Sequence, residues 1–295
     1  MPEKEIEFES KGIKIHGTLT VPEGENYPIA VFVHGGGPQD RDGTVGPNKM
    51  WKDIAEDLAA DGIASIRFDK RAFSHKDEIK QGKLAINDLN DEILDDAYGA
   101  IGYAKTQSKD VYVIGQSLGA YLVPEILDKS GAKGGVMLAA PARDIEEIII
   151  DQNEYSMKIR GEKLETISAK TSDIRKAFGP LDRGEVKANS MFSGALGSYW
   201  YDLRSKRPLD LASSIDTPLL LIFGEKDSQV FKKDYELWTG ALEKSGNDYE
   251  AYLFNVNHMM MPCEKGTIDE YQKQGKVDKK VTKEISKWVW EKSLS

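Results

Sequence analysis

The sequence predicts an α/β fold, a mostly parallel central sheet flanked by helices, and three observations carry that expectation. Apolar and β-branched runs, followed by glycine-rich turns and then by helical periodicity, recur along the 295 residues. One strand-to-helix junction holds the pattern Gly115-Gln116-Ser117-Leu118-Gly119. The stretch 144–213 interrupts the alternation, offering polar helical patterns but no convincing buried strand.

Taken in order, Ile6 to Phe8 and Ile13 to Val21 read as an N-terminal antiparallel hairpin. The inner strands follow at Ile29 to Val33, Ile63 to Phe68, Val111 to Ile114, Gly135 to Ala139, Leu219 to Phe223 and Glu250 to Leu253. Their near-continuous apolar character fits a parallel sheet covered on both faces. Asn48 to Asp61 places Met50, Trp51, Ile54, Leu58 and Ala59 on one helical face, and Asn90 to Thr106 does the same with Ile93, Leu94, Ala97, Ile101 and Ala104. Near the end, Val281, Ile285, Trp288 and Val289 form the inner stripe of a last helix. A helical insertion explains the distance from the strand ending near Ala139 to the one starting near Leu219. The expected organisation is therefore a core domain, residues 1–143 and 214–295, with a helical lid or cap at 144–213.

With 40% hydrophobic and 30% charged residues the composition is that of an ordinary globular chain, which sets aside disorder and disulfide scaffolds. The net charge of −9 repels polyanions, so neither nucleic acid nor a membrane surface is expected as a partner. A small neutral molecule suits it, and so does plain solubility. No apolar run reaches the roughly 18 residues of a membrane span, and the acidic start MPEKEIEFES lacks a basic-then-apolar leader pattern. With Cys263 as its single cysteine, the chain reads as cytoplasmic.

At the junction, a strand from Asp110 runs into Gly115-Gln116-Ser117-Leu118-Gly119 and then into a helix. A serine forced into a sharp turn brings the residues two away on either side against backbone, and Gly115 and Gly119 supply the missing bulk. Such a turn would present the Ser117 hydroxyl at the carboxyl end of the sheet, as a nucleophile requires. The same pattern is also compatible with a plain tight turn.

After the strand ending at Val33 comes His34-Gly35-Gly36-Gly37-Pro38, nearly free of side chains, where a substrate oxygen could approach backbone amides. The expected oxyanion donors are the amides of Gly36 and Leu118. A phosphate loop is the rival, but Pro38 and Gln39 to Gly43 stand where the lysine and helix start belong. Asp40 and Asp42 lack the ligand ladder of a calcium loop and read as loop-fixing residues.

The acid is expected at Asp227, just past Leu219 to Gly224, with Glu225 and Asp144 as fallbacks and a turn or helix cap as the bland alternative. Of the four histidines only His258 follows the acid in the chain, in a loop after the last strand, and it is the expected base. Tyr199 and Trp200 in the insertion, and Met259 beside the histidine, are candidate pocket walls or ordinary packing.

Together, His34-Gly-Gly-Gly-Pro38-Gln-Asp40-Arg-Asp42, Arg67-Phe-Asp-Lys-Arg71, the elbow, the Asp227 strand and the His258 loop resemble the α/β-hydrolase superfamily. Within it they are most similar to bacterial esterases and acyl hydrolases with an HGxGPxDRD stretch. Gln116 stands where that group often has histidine, and Ala72 and Ser74 replace usual glycines. The resemblance implies the α/β-hydrolase fold and a serine carboxylesterase, without metal or organic cofactor, for small acyl esters, acetyl or other short-chain, or aryl such as cinnamoyl. A serine peptidase or amidase, and a non-catalytic ligand-binding protein, are the alternatives.

Overall fold

The computed structural model describes residues 2–294. Among them, an eight-stranded sheet is built from β1 (Glu3–Ser10), β2 (Ile13–Thr20), β3 (Ile29–Val33), β4 (Ala64–Phe68), β5 (Val111–Gln116), β6 (Gly134–Leu138), β7 (Leu219–Gly224) and β8 (Tyr249–Phe254). Their order is β1-β2-β4-β3-β5-β6-β7-β8. β1 and β2 form a hairpin over Lys11-Gly12, both at positive φ (51° and 77°), the primed turn that matches strand twist. β2 joins β4 antiparallel, and every pairing from β4 across to β8 is parallel.

β3, β5, β6 and β7 are buried along their whole length, which is why they read as apolar runs rather than alternation. The edges differ. β1 alternates buried and exposed residues and carries charges outward, while β8 is half-buried throughout. β5 extends two residues beyond the expected Ile114, because Gly115 still pairs with Val33 and Met137, and Gln116 with Leu138. Asn48 and Lys49, expected to start a helix, instead pair with Thr44 and Val45 as a small ribbon.

Around the sheet run helices α1 (Met50–Ala60), α2 (Asp95–Gln107, entered through a π-turn Asn90–Leu94), α3 (Val123–Ser130), α4 (Ile145–Ile159), α5 (Leu164–Asp182), α6 (Gly197–Ser205), α7 (Pro208–Ala212), α8 (Lys232–Ser245) and α9 (Lys279–Leu294). Two adjacent glycines of β6 show how they divide. A Cβ on Gly134 would lie 2.6 Å from Trp288 of α9, and one on Gly135 would lie 2.5 Å from Val123 of α3. Neighbouring strand residues point to opposite faces, so α9 and α3 cover opposite sides and rest on bare backbone. Val281, Ile285, Trp288 and Val289 of α9 are all buried, each worth roughly 1.5–3 kcal/mol of apolar transfer.

Between β6 and β7 the chain forms α4 to α7 and a ribbon of Met191–Phe192 with Ala195–Leu196. The ribbon is half-buried or exposed and is no part of the sheet. Its anchor is aromatic: Phe178, Phe192 and Trp200 meet edge to face with ring centroids 5.3–6.2 Å apart. No helix of the described residues is long and apolar enough to cross a membrane.

Candidate active site

The order of strands reverses between β3 and β5, and crevices outside the carboxyl ends of strands at such a switch are where open α/β sheets bind ligands. His34 to Gly37 leave β3 there, and Ser117 leaves β5 beside them. Ser117 has φ 54° and ψ −121°, a backbone conformation that costs a non-glycine residue about 1–3 kcal/mol. The flanking glycines make it possible. A Cβ on Gly115 would lie 2.6 Å from the Gly119 carbonyl oxygen, and one on Gly119 would lie 2.3 Å from that of Val33. The turn is therefore wedged between β3 and β5 with no room for a methyl group.

His258 and Asp227 meet at the end of the sheet formed by β7 and β8. The His258 Nδ1 is 2.7 Å from Asp227 Oδ2, with both side chains buried. The other carboxylate oxygen, Asp227 Oδ1, accepts the amides of Gln229 (2.7 Å) and Val230 (3.0 Å), so the acid is held at both ends. The histidine loop is pinned by Asn257, whose Oδ1 accepts the amides of Met259 and Met261. Asp227, rather than Glu225 or Asp144, is thus the carboxylate within hydrogen-bond distance of the imidazole. Gln116, a departure from the common histidine, donates from Nε2 to the His258 carbonyl at 3.2 Å and ties the serine turn to the histidine loop.

The glycine loop is fixed by residues around it. His34 is buried between Trp51 and Phe68, with its Nε2 3.0 Å from the Asp40 carbonyl oxygen. Burial, reinforced by the nearby Lys70 charge, pushes its imidazole down to about 3, so it is neutral at ordinary pH. Asp40 accepts the Thr44 amide and Asp42 accepts Arg67 at 2.5 Å, which makes both loop-fixing residues. Gly36 faces Leu118 closely, a Cβ there lying 3.4 Å from the Leu118 side chain. The Leu118 amide opens a helical turn and has no carbonyl within that turn to bond.

Two cavities share Gly36, Ser117 and Gln229. One, of about 300 Å³, also takes in Leu118, Tyr121, Ile145, Ile148, Tyr199 and Trp200. The other, of about 170 Å³, takes in His258, Met259 and Tyr271. The structure thus places Tyr199, Trp200 and Met259 on cavity walls. It also gives Trp200 a packing role, being 6% exposed in the aromatic anchor with its Nε1 bonded to the Phe192 carbonyl at 2.7 Å.

Several residues on or beside these cavities went unread in the sequence: Tyr121, Ile145, Ile148, Gln229, and the buried pair Lys70 and Glu92. Lys70 at least sits inside the Arg67-to-Arg71 motif, which was a signal. Glu92 had none, because its partners are 22 to 107 residues away.

A doubly covered, mostly parallel sheet with a strained serine turn and an aspartate-held histidine at the carboxyl ends of its strands defines an α/β-hydrolase. The chain belongs to the family described as serine aminopeptidase, S33, whose model matches residues 43–252. It is 39% identical over 290 residues to Esterase EstD of Thermotoga maritima, an alignment covering 96% of this chain and 68% of that protein. In fold it is similar to Est1E from Butyrivibrio proteoclasticus, with a TM-score of 0.61 at 17% identity over 99% of both chains. It is likewise similar to the acylaminoacyl peptidase of Pyrococcus horikoshii, with a TM-score of 0.61 at 18% identity, covering 97% of this chain and 41% of that one.

Proposed function

We propose that the protein is a serine carboxylesterase that hydrolyses small acyl esters through an acyl-enzyme intermediate on Ser117. That it is a carboxylic ester hydrolase rests on its family and on its likeness to EstD over nearly the whole chain. The observation that carries the serine mechanism is the buried Asp227–His258 pair opening into the same cavity as the strained Ser117.

In this reading His258 takes the hydroxyl proton as Ser117 Oγ attacks the ester carbonyl carbon, and the amides of Gly36 and Leu118 receive the carbonyl oxygen as it becomes anionic. Asp227 holds the imidazole in the tautomer that leaves Nε2 free to accept. The C–O bond to the alcohol then breaks, with the proton passing from His258 to the departing oxygen. Water repeats the sequence on the acyl-serine, releasing acid and restoring the hydroxyl.

The 300 Å³ cavity, walled by Tyr121, Trp200 and isoleucines, suits the acyl part. Short acyl chains fit it, and an aromatic acyl group is the other class; Est1E, similar in fold, is known with ferulic acid bound. The segment 144–213 supplies Tyr199, Trp200 and α4 to this cavity and acts as its cap, the remainder of the chain being the core domain.

The test is p-nitrophenyl acetate hydrolysis by wild type beside Ser117→Ala, both checked for folding by circular dichroism. A fall in kcat of at least about 10³-fold in the alanine variant is expected. Equal rates would refute the serine mechanism. A peptidase is the second reading, favoured by the family description and the acylaminoacyl peptidase likeness. It predicts cleavage of an aminoacyl anilide at a rate comparable to the ester, where an esterase cleaves the anilide far more slowly.

A further inference from the structure

The oxyanion loop Gly35-Gly36-Gly37 has no side chains with which to lock itself, yet its peptide planes must point in fixed directions for an amide to serve as a preorganised donor. Two buried charged side chains grip it from outside. Lys70 Nζ donates to the Gly35 carbonyl at 2.7 Å, and Glu92 Oε1 accepts the Gly37 amide at 2.8 Å. They also bond each other at 2.9 Å, and their side chains are 2% and 6% exposed.

The peptide unit makes these contacts specific. The Gly35 carbonyl and the Gly36 N–H belong to one planar trans peptide and point in opposite directions. Holding the oxygen therefore aims the hydrogen. The grip on the Gly37 amide fixes the next plane, so both peptides flanking the Gly36 α-carbon are set by the ion pair.

We infer that Lys70 and Glu92 are positioning residues that orient the Gly36 amide for the developing oxyanion, and that Tyr199 couples the cap to this device. The inference rests on the serine-esterase reading above. Tyr199 O–H donates to Glu92 Oε2 at 2.6 Å while its side chain walls the acyl cavity, so acyl contact and oxyanion geometry share one carboxylate. Glu92 sits in the π-turn Asn90–Leu94, a local irregularity of the kind that recurs at functional sites. Its charge is compensated: burial alone would raise its carboxyl, but Lys70, Tyr199 and the Gly37 amide hold it below the usual range. An unpaired carboxylate at this place would oppose the oxyanion, and Lys70 cancels it.

The test compares two double variants that both lack the charges. K70M/E92L replaces the pair by apolar side chains of similar size, a change that buried ion pairs often tolerate. K70M/E92Q returns an amide oxygen that can accept from Gly37. On p-nitrophenyl acetate, kcat is expected to fall at least about 50-fold in K70M/E92L and about fivefold in K70M/E92Q, with KM in both within threefold of wild type. Thermal melts confirm that each variant is folded at the assay temperature. Equal kcat in the two double variants, or losses appearing in KM alone, overturns the inference. Should K70M/E92L fail to melt cooperatively, K70M/E92Q at the wild-type kcat overturns it equally. Failure of the esterase reading shows separately, as a wild type without ester turnover or as Ser117→Ala matching it, and the inference then falls with that reading.

Discussion

The carboxyl end of the central strands, which carries Ser117, and the helical segment between β6 and β7 that faces it are built on different principles. There β3 and β5 are buried throughout, the serine turn admits no methyl group at Gly115 or Gly119, and local backbone strain is held in place by its surroundings. The helical segment is half-exposed, and ion pairs hold much of it: Arg204 with Asp182, Lys206 with Glu125 and Asp202, and Arg143 with Asp151 and Asp234. An exposed pair such as Arg204 with Asp182 contributes about 0–1 kcal/mol, whereas Asp234 is fully buried beneath Arg143. Ser117 stands on the closely packed part, while Tyr199 and Trp200 line the cavity from the other. On the proposed reading, chemistry and specificity are separable by mutation.

The largest effect expected is at the wedge. Gly119→Ala puts a Cβ 2.3 Å from one backbone carbonyl oxygen and 2.4 Å from the next, and neither can retreat without moving β3. A loss of about 4 kcal/mol or outright failure to fold is expected in chemical denaturation. A variant as stable as wild type would show that the serine turn is softer than the contrast requires.

Trp200→Ala should cost about 3 kcal/mol as a buried aromatic, yet leave Ser117 reactive toward a fluorophosphonate probe while shifting preference along an acyl-chain series. Loss of probe labelling in the folded variant would mean that the two regions are not separable.

A smaller effect, graded with pH, belongs to His34. Its imidazole lies at about 3 when folded and near 6.5 when unfolded, so between those values the unfolded chain binds the extra proton. Its contribution is whole above 6.5 and is lost as pH falls toward 3, at up to about 1.4 kcal/mol per pH unit. His34→Gln should flatten the decline of unfolding free energy between pH 6 and pH 4. Parallel slopes in the two proteins would remove His34 as the cause.

How much of this was legible in the sequence follows the same division. The eight strands, the serine turn and the positions of Asp227 and His258, which the structure brings together, could be read because apolar run, turn and helix signal follow one another locally there. Tyr199 and Trp200 were legible only as alternatives, wall or packing, and the structure gives Trp200 both at once. The ribbon at Met191 to Leu196 was missed, being too short to carry a period. Glu92 was read as one more residue of a helix, since nothing local distinguishes a carboxylate that meets Gly37, Lys70 and Tyr199 from one that faces water. Long-range polar contacts leave no periodic trace.

The bond from Gln116 to the His258 carbonyl bears on a hazard of the architecture. His258 follows β8, one of the two outermost strands, which is half-buried along its length and more open to fraying than the middle of the sheet. A histidine loop hung only from such a strand would move with every opening of that edge. Gln116 belongs to β5, near the middle of the sheet, and its amide moors the histidine loop there. A fluctuation at the margin therefore meets a tether to the middle of the sheet before it can change the spacing of Ser117 and the His258 imidazole.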